Sequence, residues 1–290
     1  MGFPDSWIRG VAAMYKTAHS EVLLAGDKGD RFSISRSIRQ GCPLTPLFLF
    51  FAEAMSSFLV AQETRLQGLR LPIREEALLD AEFADDTAMY LAGHEDNLAR
   101  FQAALEVFCD ASGAKINWHK SCGFWIGAGA PPQWLPDPSF RWIPEGTPMR
   151  YLGCQIGLEL TAEQQIAPLL LSIKRKLIFW SSARLSLAGR AVVANQVLLA
   201  TMWYVTSCWI FSSSCISQIQ RLIRNFLWSG KNGDATRAKI AWPVITLPTS
   251  HGGLGIVDPA CQSRALIGKF VVRNLLPSVE PWKEFLRHRL

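Results

Sequence analysis

The stretch Ala81–Gly93, AEFADDTAMYLAG, sets Asp85 and Asp86 side by side between two apolar runs. Adjacent carboxylates repel each other, so the pair needs solvent or a cation to offset the repulsion. The flanking residues change to a period of two, which predicts strands on both sides of the acids. A hairpin tip then exposes Asp85 and Asp86 while Phe83, Met89 and Leu91 enter the core. Two readings fit these residues. Asp-Asp is ordinary turn chemistry. It is also a donor pair for magnesium, which takes oxygen ligands and keeps several of its waters. A third carboxylate from a neighbouring strand would complete a two-ion site that clamps the attacking and leaving oxygens of a phosphoryl transfer.

Upstream of the hairpin, Pro4–Ala18 reads as a helix with Trp7, Ile8, Val11 and Tyr15 on one side. SEVLLAGDKGDRFSIS reads as a hairpin around Asp27-Lys28-Gly29. After the loop RSIRQGCPLTP comes a strongly apolar helix, with Leu47, Phe48, Phe51, Met55, Phe58 and Leu59 at helical spacing, expected to be largely buried. Downstream, HEDNLARFQAALEVFCDASG is an amphipathic helix. It has an acidic start, Leu98, Phe101, Leu105 and Phe108 as its inner stripe, and Gly113 as its stop. AKINWHKSCGFWIG and MRYLGCQIG read as short strands, separated by a Pro- and Gly-rich connection from Gly127 to Pro148. From Thr161 onward the pattern is helical. Strands interleaved with helices, then helices alone, give an α+β class followed by a helical part, with the boundary at 158/159.

The chain has 290 residues, a formal charge of +6 and seven cysteines at scattered spacings without a C-x-x-C. No disulfide framework or zinc site follows, and a reducing, intracellular setting, nuclear or cytoplasmic, is expected. Ala191–Ile216 carries no charge and is long enough to span a bilayer. Asn195, Gln196 and the SSS break favour a buried helix followed by a turn. A helical membrane protein is the alternative that this run motivates. Between Gln164 and Gly233 there is no Asp or Glu, while Lys174, Arg175, Lys176, Arg184, Arg190, Arg221, Arg224 and Lys231 are all present. Such one-sided charge serves backbone phosphates, though KRK is equally a solvated helix face. Trp180, Trp203, Trp209 and Trp228 can stack on bases or fill the core. HGGLGI lacks the Gly-Lys-Ser/Thr of a phosphate loop and reads as a turn.

RQGCPLTPLFLFFAEAM, FADDTAMYL, SGAKINWHKSCGF and YLGCQIG, in that order, closely resemble the reverse transcriptases of LINE-type, non-LTR retrotransposons, most like those of plants. LSLAGRAVVANQVL and WPVITLPTSHGGLGI resemble the segment after the polymerase core in the same family. The resemblance implies an RNA-directed DNA polymerase: residues 1–158 as the C-terminal part of a palm, an antiparallel sheet with packed helices, and residues 159–290 as a helical thumb and post-polymerase segment. It implies that Asp85 and Asp86 hold catalytic Mg2+. Gln40, Gly41 and Pro43 would shape the loop against nucleotide and template, and Lys120, with Lys115 behind it, would help the leaving pyrophosphate. Tyr151, Leu152 and Gly153 would grip the primer, and Lys174, Arg175 and Lys176 would meet the nucleic-acid backbone. Partners would be an RNA template, a DNA primer and deoxynucleoside triphosphates, with no membrane.

The family's palm also uses an aspartate on a strand before the GFPDSWI helix. Asp5, Asp27 and Asp30 lack that apolar strand context. The expectation is therefore a partial palm, inactive alone, with a catalytically dead nucleic-acid-binding relic as the alternative.

Overall fold

The computed structural model describes residues 2–34, 42–70, 77–127, 131–135, 141–229, 237–277 and 280–289. The chain forms two compact units. The first is Met1–Arg70 with Glu76–Ala114, and the second is Lys115–Leu290 with Leu71–Glu75.

The first unit begins with helix α1 (Asp5–Lys16), which contributes no buried residue although its apolar positions recur at helical spacing. Four two-residue strands follow: β1 (His19–Ser20), β2 (Leu23–Leu24), β3 (Asp27–Lys28) and β4 (Phe32–Ser33). Strand β2 pairs with β3, and β1 with β4. The turn falls at Ala25-Gly26, both at positive φ, rather than at Asp27-Lys28-Gly29. A two-residue I′ loop has positive φ at both positions, and Gly26 adopts that conformation without the penalty that Asp27 or Lys28 would meet there.

Helix α2 (Leu47–Val60) forms where its apolar repeat predicts, but buries only Ala52 and Leu59, with Leu49, Phe50 and Val60 exposed. Its partner is α3 (Glu95–Ser112). Glu95 and Asp96 complement the start of α3, and Gly113, at φ 71°, ends it in the left-handed conformation that favours glycine. Ring contacts Phe51–Phe108 (5.4 Å) and Phe58–Phe108 (6.2 Å) join the two helices. Between them in sequence lies the hairpin β5 (Asp80–Phe83) and β6 (Asp86–Met89), antiparallel, with Phe83 opposite Asp86.

A buried amide fixes the base of this hairpin. Asn97, 1 % exposed, donates from Nδ2 to the carbonyls of Gln67 (2.8 Å) and Ala92 (3.0 Å), and its Oδ1 accepts from the Gln67 N–H (2.9 Å). The strap so held bridges Gly68 to Leu91 and Leu69 to Leu78. Three hydrogen bonds satisfy the amide in a site where an unpaired one would be costly.

The second unit starts with a short parallel pair, β7 (Cys122–Gly123) and β8 (Arg141–Trp142), then the hairpin β9 (Met149–Tyr151) and β10 (Cys154–Ile156). Helix α4 (Ala162–Ser181) opens with a capping box: Thr161 accepts from the Gln164 N–H, and the Gln164 side chain accepts from the Thr161 N–H. Its Ile166, Leu169, Ile173 and Leu177 line the core. Helix α5 (Leu187–Val193) continues through a π-helical stretch (Ala194–Leu199) into α6 (Ala200–Cys208). Helix α7 (Ser213–Ser229) adds Ile216, Ile219, Ile223, Phe226 and Leu227 to the same core. The short α8 (Trp242–Ile245), then α9 (Pro259–Leu275) and α10 (Pro281–Arg289), complete the unit.

The sequence-based boundary at 158/159 thus differs from the division after Ala114. The β9–β10 hairpin goes with the helices because Cys154 is buried and the Tyr204 hydroxyl of α6 donates to the Leu152 carbonyl.

The run Leu187–Cys208 is long and apolar enough to cross a membrane by length and composition. Ala191, Val193, Ala194, Leu198, Leu199 and Met202 are instead packed into the core with α4 and α7. That burial accounts for the missing charges. Trp180, Trp203 and Trp228 pack against this core as well.

HGGLGI folds as a tight turn. Leu254 and Ile256 N–H both donate to the Ile245 carbonyl (3.1 and 3.2 Å), and Gly255 N–H donates to that of Leu247 (2.9 Å). Asn195, inside the π-helical stretch, clamps the turn from outside: its Nδ2 donates to the Gly255 carbonyl (2.8 Å) and its Oδ1 accepts from the Val257 N–H (3.0 Å).

Asp258 caps α9, accepting from Ala260 and Cys261 N–H (2.8 and 2.9 Å) and from the Trp242 indole N–H. Burial alone would raise its carboxyl pKa, but the Trp242 and backbone hydrogen bonds outweigh burial and hold it below the usual value. A depressed folded pKa contributes stability that is present above the unfolded pKa, about 3.9, and lost as pH falls through the folded value. Asp258→Asn keeps a capping oxygen and removes the titration. Urea midpoints measured from pH 6 to pH 2 are expected to fall more steeply for the parent than for D258N; parallel curves would reject this assignment.

Candidate nucleic-acid and metal-binding site

The β5–β6 register leaves Ala84 and Asp85 as a two-residue turn. Ala84 has φ 55°, and Asp85 is not among the positive-φ residues. This is the pattern of a II′ turn, whose first position favours glycine. An L-residue held there costs roughly 1–2 kcal/mol. The tip is thereby a fixed bend that presents Asp85 and Asp86, both exposed.

Phe83 is also exposed, at 64 %, against the expectation of a core position. The register gives the reason. Phe83 and Asp86 are directly opposed and share a face, so a strand that turns Asp86 to solvent turns Phe83 with it. Met89 and Leu91 are half-buried.

The opposite face carries Asp80 and Glu82, which are half-buried and which sequence reasoning passed over. Burial pushes the Glu82 carboxyl up, and the nearby charges of Asp80 and Glu53 push it further. Glu82 Oε1 has no hydrogen-bond partner among the described residues. The alternation around Phe83 held the signal, because placing Phe83 outward places Glu82 inward.

Two adjacent exposed carboxylates fit a hard cation that draws its other ligands from water and phosphate. No group of three or more His, Cys, Asp or Glu side chains among the described residues is arranged to hold a metal ion. Gln40 and Gly41 lie outside the described residues. Pro43 is exposed in the turn leading into α2, where the Thr45 N–H donates to the Cys42 carbonyl (2.9 Å).

The remaining candidates belong to the second unit. Lys115 and Lys120 are exposed, the latter in a turn closed by its N–H to the Asn117 carbonyl (3.0 Å). Tyr151 and Leu152 are half-buried and Gly153 is exposed. Leu152 (φ 45°) and Gly153 (φ 85°) form the tip of the β9–β10 hairpin, a two-residue turn with both positions left-handed. Burial pushes the Cys154 thiol up to about 11, helped by the neighbouring Cys208 thiol.

Lys174 and Arg175 are exposed on α4, in line with Leu171, Ile178 and Phe179 on the same helix surface. Lys176 is not part of that surface. Its Nζ donates to Thr201 Oγ1 (2.6 Å) and to the Val197 carbonyl (3.4 Å) in the π-helical region. A widened helical turn leaves carbonyls short of N–H partners, and this ammonium supplies one. Arg190 is likewise used internally, donating to the Leu227 carbonyl at the end of α7 (2.9 Å), and Arg224 lies over the Trp242 ring at 5.9 Å. Among the described residues, exposed positive charge is thus narrower than the basic run in the sequence: Lys174, Arg175, Arg184 and Arg221 face solvent, and Lys231 lies outside the described residues.

No family model matches this chain. It is 31 % identical over 259 residues to the "Transposon TX1 uncharacterized 149 kDa protein" of Xenopus laevis, an alignment covering 88 % of this chain and 19 % of that protein. The chain spans about a fifth of the length of this relative. That relative is a transposon protein by name, and the likeness agrees with the coarser, transposon-related part of what the motifs of this chain imply.

Proposed function

We propose that this chain is the C-terminal palm portion and the helical thumb of an RNA-directed DNA polymerase from a non-LTR retrotransposon. The observation that carries the reading is the fixed hairpin tip that presents Asp85 and Asp86 together to solvent. Magnesium, when bound there, would neutralise charge on the triphosphate and lower the barrier to attack by the primer hydroxyl. The aspartates hold position and charge; neither acts as nucleophile. Gln40, Gly41 and Pro43 shape the nucleotide side, Lys120 offers its ammonium to departing phosphate, and the Tyr151–Gly153 turn steadies the primer end. Lys174 and Arg175 contact backbone phosphates of a template–primer duplex.

Salt dependence of duplex binding tests the thumb assignment. Removing one phosphate-binding cation flattens the slope of log K against log salt by about 0.9. The K174A/R175A double variant is expected to lower that slope by about 2, with its melting temperature kept. K176A is expected to leave the slope alone and lower the melting temperature, because its ammonium serves the protein interior. The reverse pattern would reject the placement.

A second reading, nucleic-acid binding without catalysis, is favoured by the lack of a three-ligand acidic cluster among the described residues. Primer extension on an RNA template separates the two. Magnesium-dependent incorporation supports the polymerase, and duplex binding without incorporation, in a chain that also carries the preceding segment, supports the binder.

A further inference from the structure

A pair of thiols stands where the β9–β10 hairpin docks on α6. The Tyr204 hydroxyl donates to the Leu152 carbonyl, and a Cβ added at Gly153 would come within 3.1 Å of the Tyr204 ring. Cys208 lies four residues further along α6, on the same face as Tyr204. Its thiol is a neighbour of that of Cys154, the residue after Gly153, and adds to the upward shift of the Cys154 pKa. Hairpin and helix are therefore in step at two successive points. Cys154 is buried, whereas Cys208 is exposed and open to reagents from solvent.

We propose that Cys154 and Cys208 are a redox modification site, closing to a reversible disulfide that bolts the β9–β10 turn to α6. The oxidant is a peroxide. The exposed Cys208 sulfur attacks one peroxide oxygen. A sulfur–oxygen bond forms, the oxygen–oxygen bond breaks, and the leaving hydroxide takes up the thiol proton as water. The resulting sulfenic acid is attacked by the Cys154 sulfur: the sulfur–sulfur bond forms, the sulfur–oxygen bond breaks, and the hydroxyl leaves with the Cys154 proton as a second water. Two thiols are oxidised and one peroxide is reduced to two waters. Cys208 is the first to react, because access selects it and because the buried Cys154 thiol resists ionisation. The bond closes a long loop that contains α4, α5 and the π-helical stretch, so it constrains the unfolded chain strongly. This inference does not depend on polymerase activity.

The test treats the full chain with a modest excess of hydrogen peroxide, then alkylates the remaining thiols and maps peptides by mass spectrometry. The expected result is one dominant cross-link, Cys154–Cys208, with a melting temperature raised by several degrees and restored by dithiothreitol. C208S and C208A, both at an exposed position, are expected to melt like the untreated parent and to show neither cross-link nor rise. Oxidation of Cys208 to sulfinic acid while Cys154 still alkylates would overturn the proposal. So would a Cys154 cross-link that persists in both variants, or a bridge that leaves the melting temperature unchanged.

Discussion

Changing Asp85 and Asp86 together to asparagine is expected to reduce primer extension at least about a thousandfold, the upper end for losing one positioned electrostatic group at an active site. The measurement uses a polypeptide that carries this chain together with the segment preceding it. The same double substitution removes a repulsion between neighbouring carboxylates. Thermal stability should therefore hold or rise slightly while activity collapses. Opposite signs separate loss of cation binding from loss of fold. Asparagine keeps the shape of each side chain and its preference for turns, so the Ala84 bend should survive. Undiminished extension by D85N/D86N would end the reading of this hairpin as a metal-binding tip.

Gly253→Ala is expected to be the most damaging single-methyl change in the helical unit. A Cβ at Gly253 would sit 2.0 Å from the Leu247 carbonyl oxygen and 2.5 Å from its carbon. Those atoms are backbone, and they are pinned: Leu247 O accepts from the Gly255 N–H, and the neighbouring Ile245 carbonyl accepts from Leu254 and Ile256 N–H. The turn cannot open without giving up those bonds and the Asn195 clamp. Overpacking of this kind costs about 3 kcal/mol, near the upper end for forced insertions. That corresponds to a melting temperature lower by roughly 6–12 °C in a unit of this size. Gly252→Ala is the control. Gly252 has φ 80° with nothing within 4 Å of an added Cβ, so only backbone strain of about 1 kcal/mol applies. Thermal melts in which G252A is as damaging as G253A would show that close approach is not what selects glycine at 253.

The hairpin around the acids, the helix ending at Gly113 and the turn at HGGLGI are all legible in the sequence, because each rests on local rules. Alternation, capping and left-handed glycine act over a few residues. What is not legible depends on partners far along the chain. Phe83 looks like core because it is large and apolar, yet its cross-strand register with Asp86 decides its face. Lys176 looks like one of three equivalent cations. Only the π-helical stretch, folded back against α4, sets it apart from Lys174 and Arg175. Asn97 and Asn195 look ordinary as single polar residues, although each ties backbone segments distant in sequence. The largely exposed α1 and the mostly half-buried α2 mark a further limit, since apolar periodicity tells which residues share a side and not how completely that side is covered.

The π-helical stretch Ala194–Leu199 has a consequence for how this unit tolerates insertion and deletion. Such a stretch is an α-helix that has absorbed one surplus residue. Removing a single residue there would restore regular winding with the later side chains still in phase, whereas a deletion in the regular turns of α6 ahead of Tyr204 would swing every later side chain by about 100° around the axis. After such a deletion in α6, Tyr204 would leave the Leu152 carbonyl and the buried position beyond it would rotate toward solvent. The irregular winding therefore works as a phase adjuster: it lets one continuous helix serve the Asn195 clamp at one end and the hairpin at the other.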